Sequence, residues 1–256
     1  MSVVGGWLRR RLRRGLAATA RVRPASCPSP PQRILVVRDG GLGDLILTVP
    51  IIRTLRQHFG PAVSVDVLVR KQVADVYRDF DQIDKLWTRS SHVGSAFRTI
   101  RSMRRRRYDL VVDMVLSPSL SFALWVVRVA PGAHRIGGDK GELVSLYHQH
   151  VDLPPRPSLN LLERLRRIGA QAFGDTALVD HTPWIDWPSD VIKHADSVWQ
   201  GAVEDENDSV VVLINLSAGI PARTWPDDKY QELLGRLIDE YGGRVNRWVI
   251  TAAPHE

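Results

Sequence analysis

Residues 37–44, Val-Arg-Asp-Gly-Gly-Leu-Gly-Asp, place three glycines and two carboxylates directly after an apolar segment. A glycine has no side chain, so a ligand can approach its backbone closely, and a helix that begins there points free N–H groups toward negative charge. Gly41 and Gly43 are therefore candidates for binding a ligand. Asp44, at the mouth of the turn, has two interpretations that the local sequence leaves open. It is either a cap of the following helix or a general base.

This glycine turn differs from the fingerprint of dinucleotide-binding proteins. Gly41-x-Gly43 is followed by Ile46 where that fingerprint has its third glycine. The second predicted strand ends in Arg70 and Lys71 instead of the acid that binds a ribose. A nicotinamide enzyme is therefore disfavoured, although an NADP-binding oxidoreductase that uses this basic pair stays as a third alternative.

A second polar turn lies at residues 214–226, between a buried strand and a helix whose first turn contains Pro226. Asn215, at the end of the strand, and Ser217 are small polar residues that leave room for a phosphate. Arg223 supplies a planar cation suited to a diphosphate. The alternative is a plain loop with an exposed arginine.

The elements that position both turns alternate between strand and helix. In the first part we predict strands at residues 34–38, 64–69, 85–87, 109–115 and 134–136, with helices at 44–58, 93–107, 119–129 and 159–168. In the second part we predict helices at 190–202 and 227–241 and strands at 209–216 and 247–251. Pro50 is expected to kink the first helix. Apolar strands separated by helices predict a doubly wound α/β fold with a parallel sheet.

The same pattern divides the chain. We predict a basic tail with a proline-rich linker at residues 1–32, an N-terminal domain at 33–182, a stiff Trp/Pro-rich connection at 183–188 and a C-terminal domain at 189–256. The last region holds only two strands, whereas a doubly wound domain needs about 100 to 150 residues. We therefore expect the second domain to be incomplete.

The positive charge of the chain is concentrated in the tail. The net charge is +7, yet eight of the 35 basic residues lie in the first 33 positions, which leaves 27 basic against 28 acidic residues in the remainder. A nucleic-acid partner is therefore not expected. Apolar residues recur every four positions, at Val4, Leu8, Leu12 and Leu16, and predict a basic amphipathic helix that binds an anionic membrane surface. A disordered leader and a transit peptide are the alternatives.

Other classes of protein are excluded by composition. No segment approaches the roughly 18 apolar residues of a transmembrane helix. The single cysteine, Cys27, cannot form an internal disulfide, which suits a reducing cytoplasm.

Four blocks of this sequence resemble the heptosyltransferases, bacterial enzymes of glycosyltransferase family 9. They are residues 34–50 (ILVVRDGGLGDLILTVP), 108–113 (YDLVVD), 135–137 (RIG) and 215–226. The blocks occur in the family's order and at matching separations, and the resemblance extends from Arg33 to the end of the chain.

The resemblance implies a GT-B-like architecture of two Rossmann-like doubly wound domains. The first would bind the acceptor and the second a nucleotide sugar, ADP-heptose, with inversion at the anomeric carbon and without a metal or cofactor. Asp44 would be the general base, and Ser217 and Arg223 would hold the donor phosphates. Many members have lysine in place of Arg223, and Asp39 replaces a serine common in the lipopolysaccharide-core enzymes.

The sequence also lacks the Asn-Asp-Thr/Ser-Gly block with which the family grips the nucleotide sugar, so a truncated chain is expected. The resulting prediction is an inverting glycosyltransferase that moves heptose to a lipopolysaccharide-type glycolipid at the inner face of the plasma membrane. The alternative is a non-catalytic, membrane-associated glycolipid-binding module.

Overall fold

The computed structural model describes residues 29–89, 93–117, 119–138, 140–154, 158–174, 182–185, 187–202, 210–216, 224–245 and 247–252. The predicted amphipathic helix of the tail lies outside these residues, as do Ser217 and Arg223. The chain divides into two compact units, the first ending at Asp186 and the second beginning at Trp187. The division falls within the predicted connection, and the roles assigned to the two domains stay predictions.

A six-stranded parallel sheet forms the centre of the first unit. Its strands are β1 Arg33–Val37, β2 Ser64–Arg70, β3 Lys85–Arg89, β4 Leu110–Asp113, β5 His134–Gly137 and β6 Gln149–His150. They lie in the order β3-β2-β1-β4-β5-β6, all parallel to their neighbours. This order is that of a Rossmann fold, so the predicted α/β, Rossmann-like fold class is confirmed. Strand β6 was not predicted.

The strand order reverses direction between β1 and β4. Val37 pairs with Leu68 of β2 on one side and with Asp113 of β4 on the other. Ligands of such sheets bind outside the carboxyl ends of the strands at this switch point. The residues that follow β1 and β4 are therefore held side by side at that position.

Two pairs of helices cover the sheet. The helices of the first unit are α1 Leu42–Ile46, α2 Val49–Phe59, α3 Val93–Arg105, α4 Leu120–Val129 and α5 Leu161–Phe173, with 3₁₀ helices at Lys71–Tyr77 and Gly141–Leu146. Helix α2 packs with α5, and α3 packs with α4. Right-handed crossovers place the two pairs on opposite faces of the sheet. Alternate residues of β1 accordingly face the two layers, and Leu35 and Val37 join the core cluster beneath α3 and α4.

The helix predicted at residues 44–58 is two helices. The regular helix is interrupted by a turn at Leu47 and Thr48, and α2 begins at Val49 with Pro50 in its first turn. Proline is favoured there because the amide hydrogen that it lacks would have no partner within the helix. Pro50 therefore starts a helix instead of kinking one, and the prediction of a kinked helix was wrong.

The second unit is smaller. It contains α6 Ser189–Ala202, β7 Val211–Asn215, α7 Asp227–Tyr241 and β8 Arg247–Thr251. The two strands pair in parallel, with Asn215 opposite Thr251 at their carboxyl ends. All four elements were predicted from the sequence, with boundaries that agree to within two residues.

Candidate active site at the carboxyl edge of the first sheet

Asp44 is the third residue of α1, at the switch point of the first sheet. Its Oδ2 accepts a hydrogen bond from the backbone N–H of Gly41, 2.9 Å away, and its Oδ1 lies 2.7 Å from Nη2 of Arg38. The capping interaction predicted as one alternative is therefore present. The side chain is still 36% exposed, and each carboxylate oxygen has a second lone pair. A ligand hydroxyl can reach Asp44 without displacing either partner.

Arg38 pairs with this carboxylate on its buried side. The guanidinium is buried, its Nη1 donates to the carbonyl of Met114 after β4, and its backbone N–H donates to the carbonyl of Leu68, 3.0 Å away. Burial lowers the pKa of Arg38 from its ordinary value, and the neighbouring Asp44 carboxylate opposes that shift. Arg38 thus ties the post-β1 turn to both neighbouring strands and fixes the direction of Asp44.

Gly40 is needed for this arrangement. A Cβ atom at this position would lie 2.4 Å from Cβ and from Oδ2 of Asp44, far inside van der Waals contact. By contrast, nothing lies within 4 Å of the corresponding position at Gly41 or Gly43, and both residues are exposed. The backbone at these two predicted binding residues is therefore open to an approaching ligand.

A second ion pair, buried on both sides, lies beside the switch point. Nζ of Lys140, after β5, is 3.1 Å from Oδ1 of Asp113 at the end of β4. The two side chains are only 2% and 1% exposed. Lys140 also donates to the carbonyl of Val115, and the hydroxyl of Tyr147 donates to the other oxygen of Asp113. Burial raises the pKa of Tyr147 well above its ordinary value. The pair holds the chain after β4 next to the Arg38 anchor at Met114.

A third charged group lies on the β2 and β3 side of the same edge. Asp39, 8% exposed, accepts a hydrogen bond from Nε of Arg70 and lies 3.9 Å from Nη2 of Arg89. The guanidinium carbon of Arg89 also stands 4.6 Å from the centre of the Phe122 ring. Arg70 is half exposed and pairs with Asp39. The arginine of the NADP-binding alternative therefore already has a carboxylate partner.

The second predicted turn is described only in part. Asn215 lies at the carboxyl end of β7, is exposed, and its Oδ1 is 3.3 Å from Oγ1 of Thr251. Ser217 and Arg223 fall outside the described residues, so the geometry of the predicted phosphate clamp stays a prediction.

Sequence reasoning identified Asp44 and the glycines but not the charged groups that support them. Arg38 and Lys140 were the residues missed. For Arg38 the available signal was a charged residue immediately after the apolar strand β1, and for Lys140 it was a charged residue in a glycine-rich segment after β5. Their partners Asp113 and Met114 lie more than 25 positions away in the sequence, and only the strand order brings them together.

The described residues contain neither a metal cluster nor a membrane-spanning helix. Within the described ranges, no group of three or more histidine, cysteine, aspartate and glutamate side chains is arranged to hold a metal ion. In the same part of the chain, no helix combines the length and apolar character needed to cross a bilayer. The expectation of a metal-independent reaction stays a prediction.

The fold and the edge site define a Rossmann-like α/β protein with a candidate proton acceptor at the switch point of its sheet. Comparison with known proteins takes the identification further. Residues 96–248 match glycosyltransferase family 9 (heptosyltransferase). This match spans more than half of the chain, which therefore belongs to glycosyltransferase family 9.

Individual relatives are more distant. The chain is 24% identical over 231 residues to lipopolysaccharide heptosyltransferase 3 of Escherichia coli K12, a match that covers 83% of this chain and 60% of that protein. Among solved structures, a family 9 glycosyltransferase from Veillonella parvula superposes with a TM-score of 0.68 at 17% identity, covering 88% of this chain and 63% of that one.

The E. coli heptosyltransferase WaaC with ADP-2-deoxy-2-fluoro heptose superposes with a TM-score of 0.59 at 20% identity, covering 87% of this chain and 70% of that one. At these identities the solved structures establish the shared fold. The chain spans 60% of the length of its curated relative.

Proposed function

We propose that this chain is an inverting glycosyltransferase that moves heptose from ADP-heptose to a hydroxyl group of a lipopolysaccharide-type glycolipid. The observation that carries the proposal is Asp44, a partly exposed carboxylate fixed at the switch point of a chain that belongs to family 9. The donor and acceptor classes are taken from the relatives, one a lipopolysaccharide heptosyltransferase and one solved with an ADP-heptose analogue. A peripheral position on the inner face of the plasma membrane belongs to the same proposal.

In the proposed reaction, Asp44 accepts the proton of the acceptor hydroxyl while the hydroxyl oxygen bonds to the anomeric carbon of the donor. The bond between that carbon and the diphosphate oxygen breaks, its electron pair leaves with ADP, and the configuration inverts. Arg38 acts as a positioning residue, because it holds Oδ1 at 2.7 Å while the second lone pair of each oxygen stays available.

The donor would bind at the turn after β7. Asn215 marks the carboxyl end of that strand, and Ser217 and Arg223 follow it in the sequence. A hydroxyl and a guanidinium can neutralise the charge that develops on the leaving diphosphate. Because these groups lie on the second unit, changes at Asp44 should leave donor binding within a few-fold of its original strength.

The first test is Asp44→Asn in this chain, assayed for ADP release and for sugar transfer to the glycolipid. If Asp44 is the base, turnover should fall by roughly 10² to 10⁴, the usual contribution of general base catalysis. Asp75→Asn is the matched control, because Asp75 is 85% exposed and pairs only on the surface with Arg78. Near-normal turnover in Asp44→Asn would leave the residue with its capping role alone.

Folding of the variant has to be measured alongside. An amide has one oxygen, so asparagine can accept a hydrogen bond from Gly41 or from Arg38 but not in the present geometry from both. We therefore expect some loss of stability, and near-ultraviolet circular dichroism should establish that the first unit keeps its native packing at the assay temperature.

Calorimetry on the unmodified chain separates the enzyme from its alternative. Affinity for ADP-heptose together with transfer supports the glycosyltransferase. Binding of the glycolipid without measurable affinity for ADP-heptose would support a non-catalytic glycolipid-binding module.

A further inference from the structure

The outer surface of helix α3 carries positive charge that no acidic residue in the described part of the chain balances. From Lys85 to Tyr108 the sequence has eight basic residues and no acidic one. Arg106 pairs with Asp66 at 2.9 Å, which accounts for one of the eight. Five others are exposed, and none of them forms an ion pair with a residue that the structure describes: Arg98, Arg101, Arg104, Arg105 and Arg107. The like charges of these arginines repel one another unless anions lie against the surface.

An apolar side chain stands among these arginines. Phe97 is 66% exposed on the same helix and, with the partly buried Ile100, lines an open groove of about 380 Å³. The remaining lining residues are all basic: Arg101, Arg104, Arg105 and Arg107. An exposed aromatic ring surrounded by arginines is the combination found in helices that lie in the headgroup region of anionic bilayers.

We propose that α3 docks the first unit on an anionic membrane surface, with Phe97 at the boundary of the acyl chains and the five arginines against lipid phosphates. This goes beyond the proposed sugar transfer and uses a surface separate from the N-terminal tail. Guanidinium groups bind phosphate well, and their aliphatic stems cover apolar surface while the charge stays among the headgroups.

Helix α3 runs from one edge of the sheet to the other. It begins at Val93, four residues after β3 ends at Arg89, on the carboxyl side of the sheet. Its other end lies on the amino side, where Nη1 of Arg33 at the start of β1 donates to the carbonyl of Arg106. The groove arginines therefore lie toward the edge opposite the candidate active site, and the proposed membrane contact is a docking surface separate from that site.

A single-stranded nucleic acid could also bind the arginines and stack a base on Phe97. Residues 34–256 carry 27 basic against 28 acidic side chains, however, and this balance disfavours a nucleic-acid partner.

The direct test places a reporter on the helix in the full chain. Cys27 is the single cysteine, so Cys27→Ser allows one dye to be attached at Phe97→Cys or, as a control, at Gln171→Cys. Gln171 is exposed on α5, on the opposite face of the sheet. With vesicles of phosphatidylcholine and phosphatidylglycerol, we expect the fluorescence emission of an environment-sensitive dye at position 97 to shift to shorter wavelength, as in an apolar surrounding. The emission of the same dye at position 171 should change little. Phosphatidylcholine vesicles should shift neither dye.

The second test removes charge from the helix. We expect the triple change Arg101→Gln, Arg104→Gln and Arg105→Gln to weaken binding to these anionic vesicles by about 100-fold, since each arginine near the surface contributes about 5-fold. Binding of the original chain should also weaken as salt rises. The control is a triple change that removes equal charge from exposed arginines elsewhere: Arg78→Gln, Arg236→Gln and Arg244→Gln.

Three outcomes would overturn the proposal. Equal losses in the two triple variants would mean that overall charge, and not α3, governs binding. If the dye at position 97 does not respond although the chain binds vesicles, and removal of residues 1–28 abolishes that binding, the tail and not α3 contacts the membrane. Tight, salt-dependent binding to RNA with no affinity for anionic vesicles would assign the surface to nucleic acid. All three outcomes are independent of whether the chain transfers a sugar.

Discussion

At Asp44, capping and proton transfer need not compete, because the carboxylate has enough lone pairs for both. Gly41 and Arg38 each occupy one oxygen from the protein side, and the exposed side remains open. The local sequence left capping and catalysis as alternatives, but the geometry is compatible with both at once. Asp44 has room for this position because Gly40 has no side chain.

Replacing Gly40 by alanine should therefore disturb the site. The new methyl group would meet the side chain of Asp44 at 2.4 Å, so either Asp44 rotates away from Arg38 or the turn shifts. We expect Gly40→Ala to lower the free energy of unfolding by about 1 to 3 kcal/mol, the usual cost of overpacking, as measured by urea denaturation. Gly43→Ala is the matched control, because its added methyl group meets nothing within 4 Å. Equal stability of the two variants would contradict this account.

At the scale of elements, helix α5 shows how charges within one helix set its acid sensitivity. Asn160 caps the helix by accepting the N–H of Glu163, whose carboxylate lies 2.7 Å from Nε of Arg166 and 3.0 Å from Nε of Arg167. Hydrogen bonds from Arg166, and then from Arg167, lower the pKa of Glu163 from 4.5 to about 2. Helix α5 packs on α2, so its stability bears on the whole first unit.

The sign of the pH effect follows from that lowered pKa. The pairing stabilises the fold fully above pH 4.5, and its contribution is lost as the pH falls from about 4.5 toward about 2. Glu163→Gln should lower the free energy of unfolding at neutral pH by no more than about 1 kcal/mol, because the pair is partly exposed. The difference between the two chains should shrink on acidification. A difference that is constant from pH 7 to pH 3, measured by urea denaturation, would show that the pairing has no part in it.

At the scale of the whole molecule, the two units differ in how much apolar surface they bury. The buried aliphatic and aromatic side chains of the described residues lie between Ile34 and Ile185, in the first unit, whereas in the described part of the second unit only Pro188 is buried. In the second unit, α7 buries none of its residues, and Leu213 and Ile250 on the paired strands are 59% and 52% exposed. Exposed apolar faces of this kind favour association.

Backbone amides in β7 and β8 should therefore exchange with deuterium much faster than those in β1, β2 and β4. We expect at least about 100-fold faster exchange, because local opening is easiest where few apolar contacts are broken. Mass spectrometry at low protein concentration measures both sets in one sample. Equal protection of the two sets of amides would mean that the apolar faces of the second unit are buried against another surface. If that protection increases with protein concentration, the other surface belongs to a second copy of this chain.

The order of the elements other than β6 and the division between α1 and α2, the glycine turn, and the position of Asp44 at its mouth could be predicted from the sequence. These features depend on local patterns: apolar runs for buried strands, amphipathic spacing for helices, and glycines where the chain turns sharply. The family resemblance used the same local blocks, and the match over residues 96–248 confirms it.

The tertiary structure alone decided which distant groups support the site. Arg38 reaches the carbonyl of Met114, and Lys140 pairs with Asp113, because the sheet places β4 between β1 and β5. Strand order and register are set by the packing of whole faces, which a single segment does not encode. The break at Leu47 and Thr48 has both a local and a distant contribution. Pro50 favours a new helix start, and the Thr48 hydroxyl donates to the carbonyl of Asp44 within the same segment. The hydroxyl of Tyr77 donates to the carbonyl of Leu45, a contact across 32 positions that a helical pattern does not reveal.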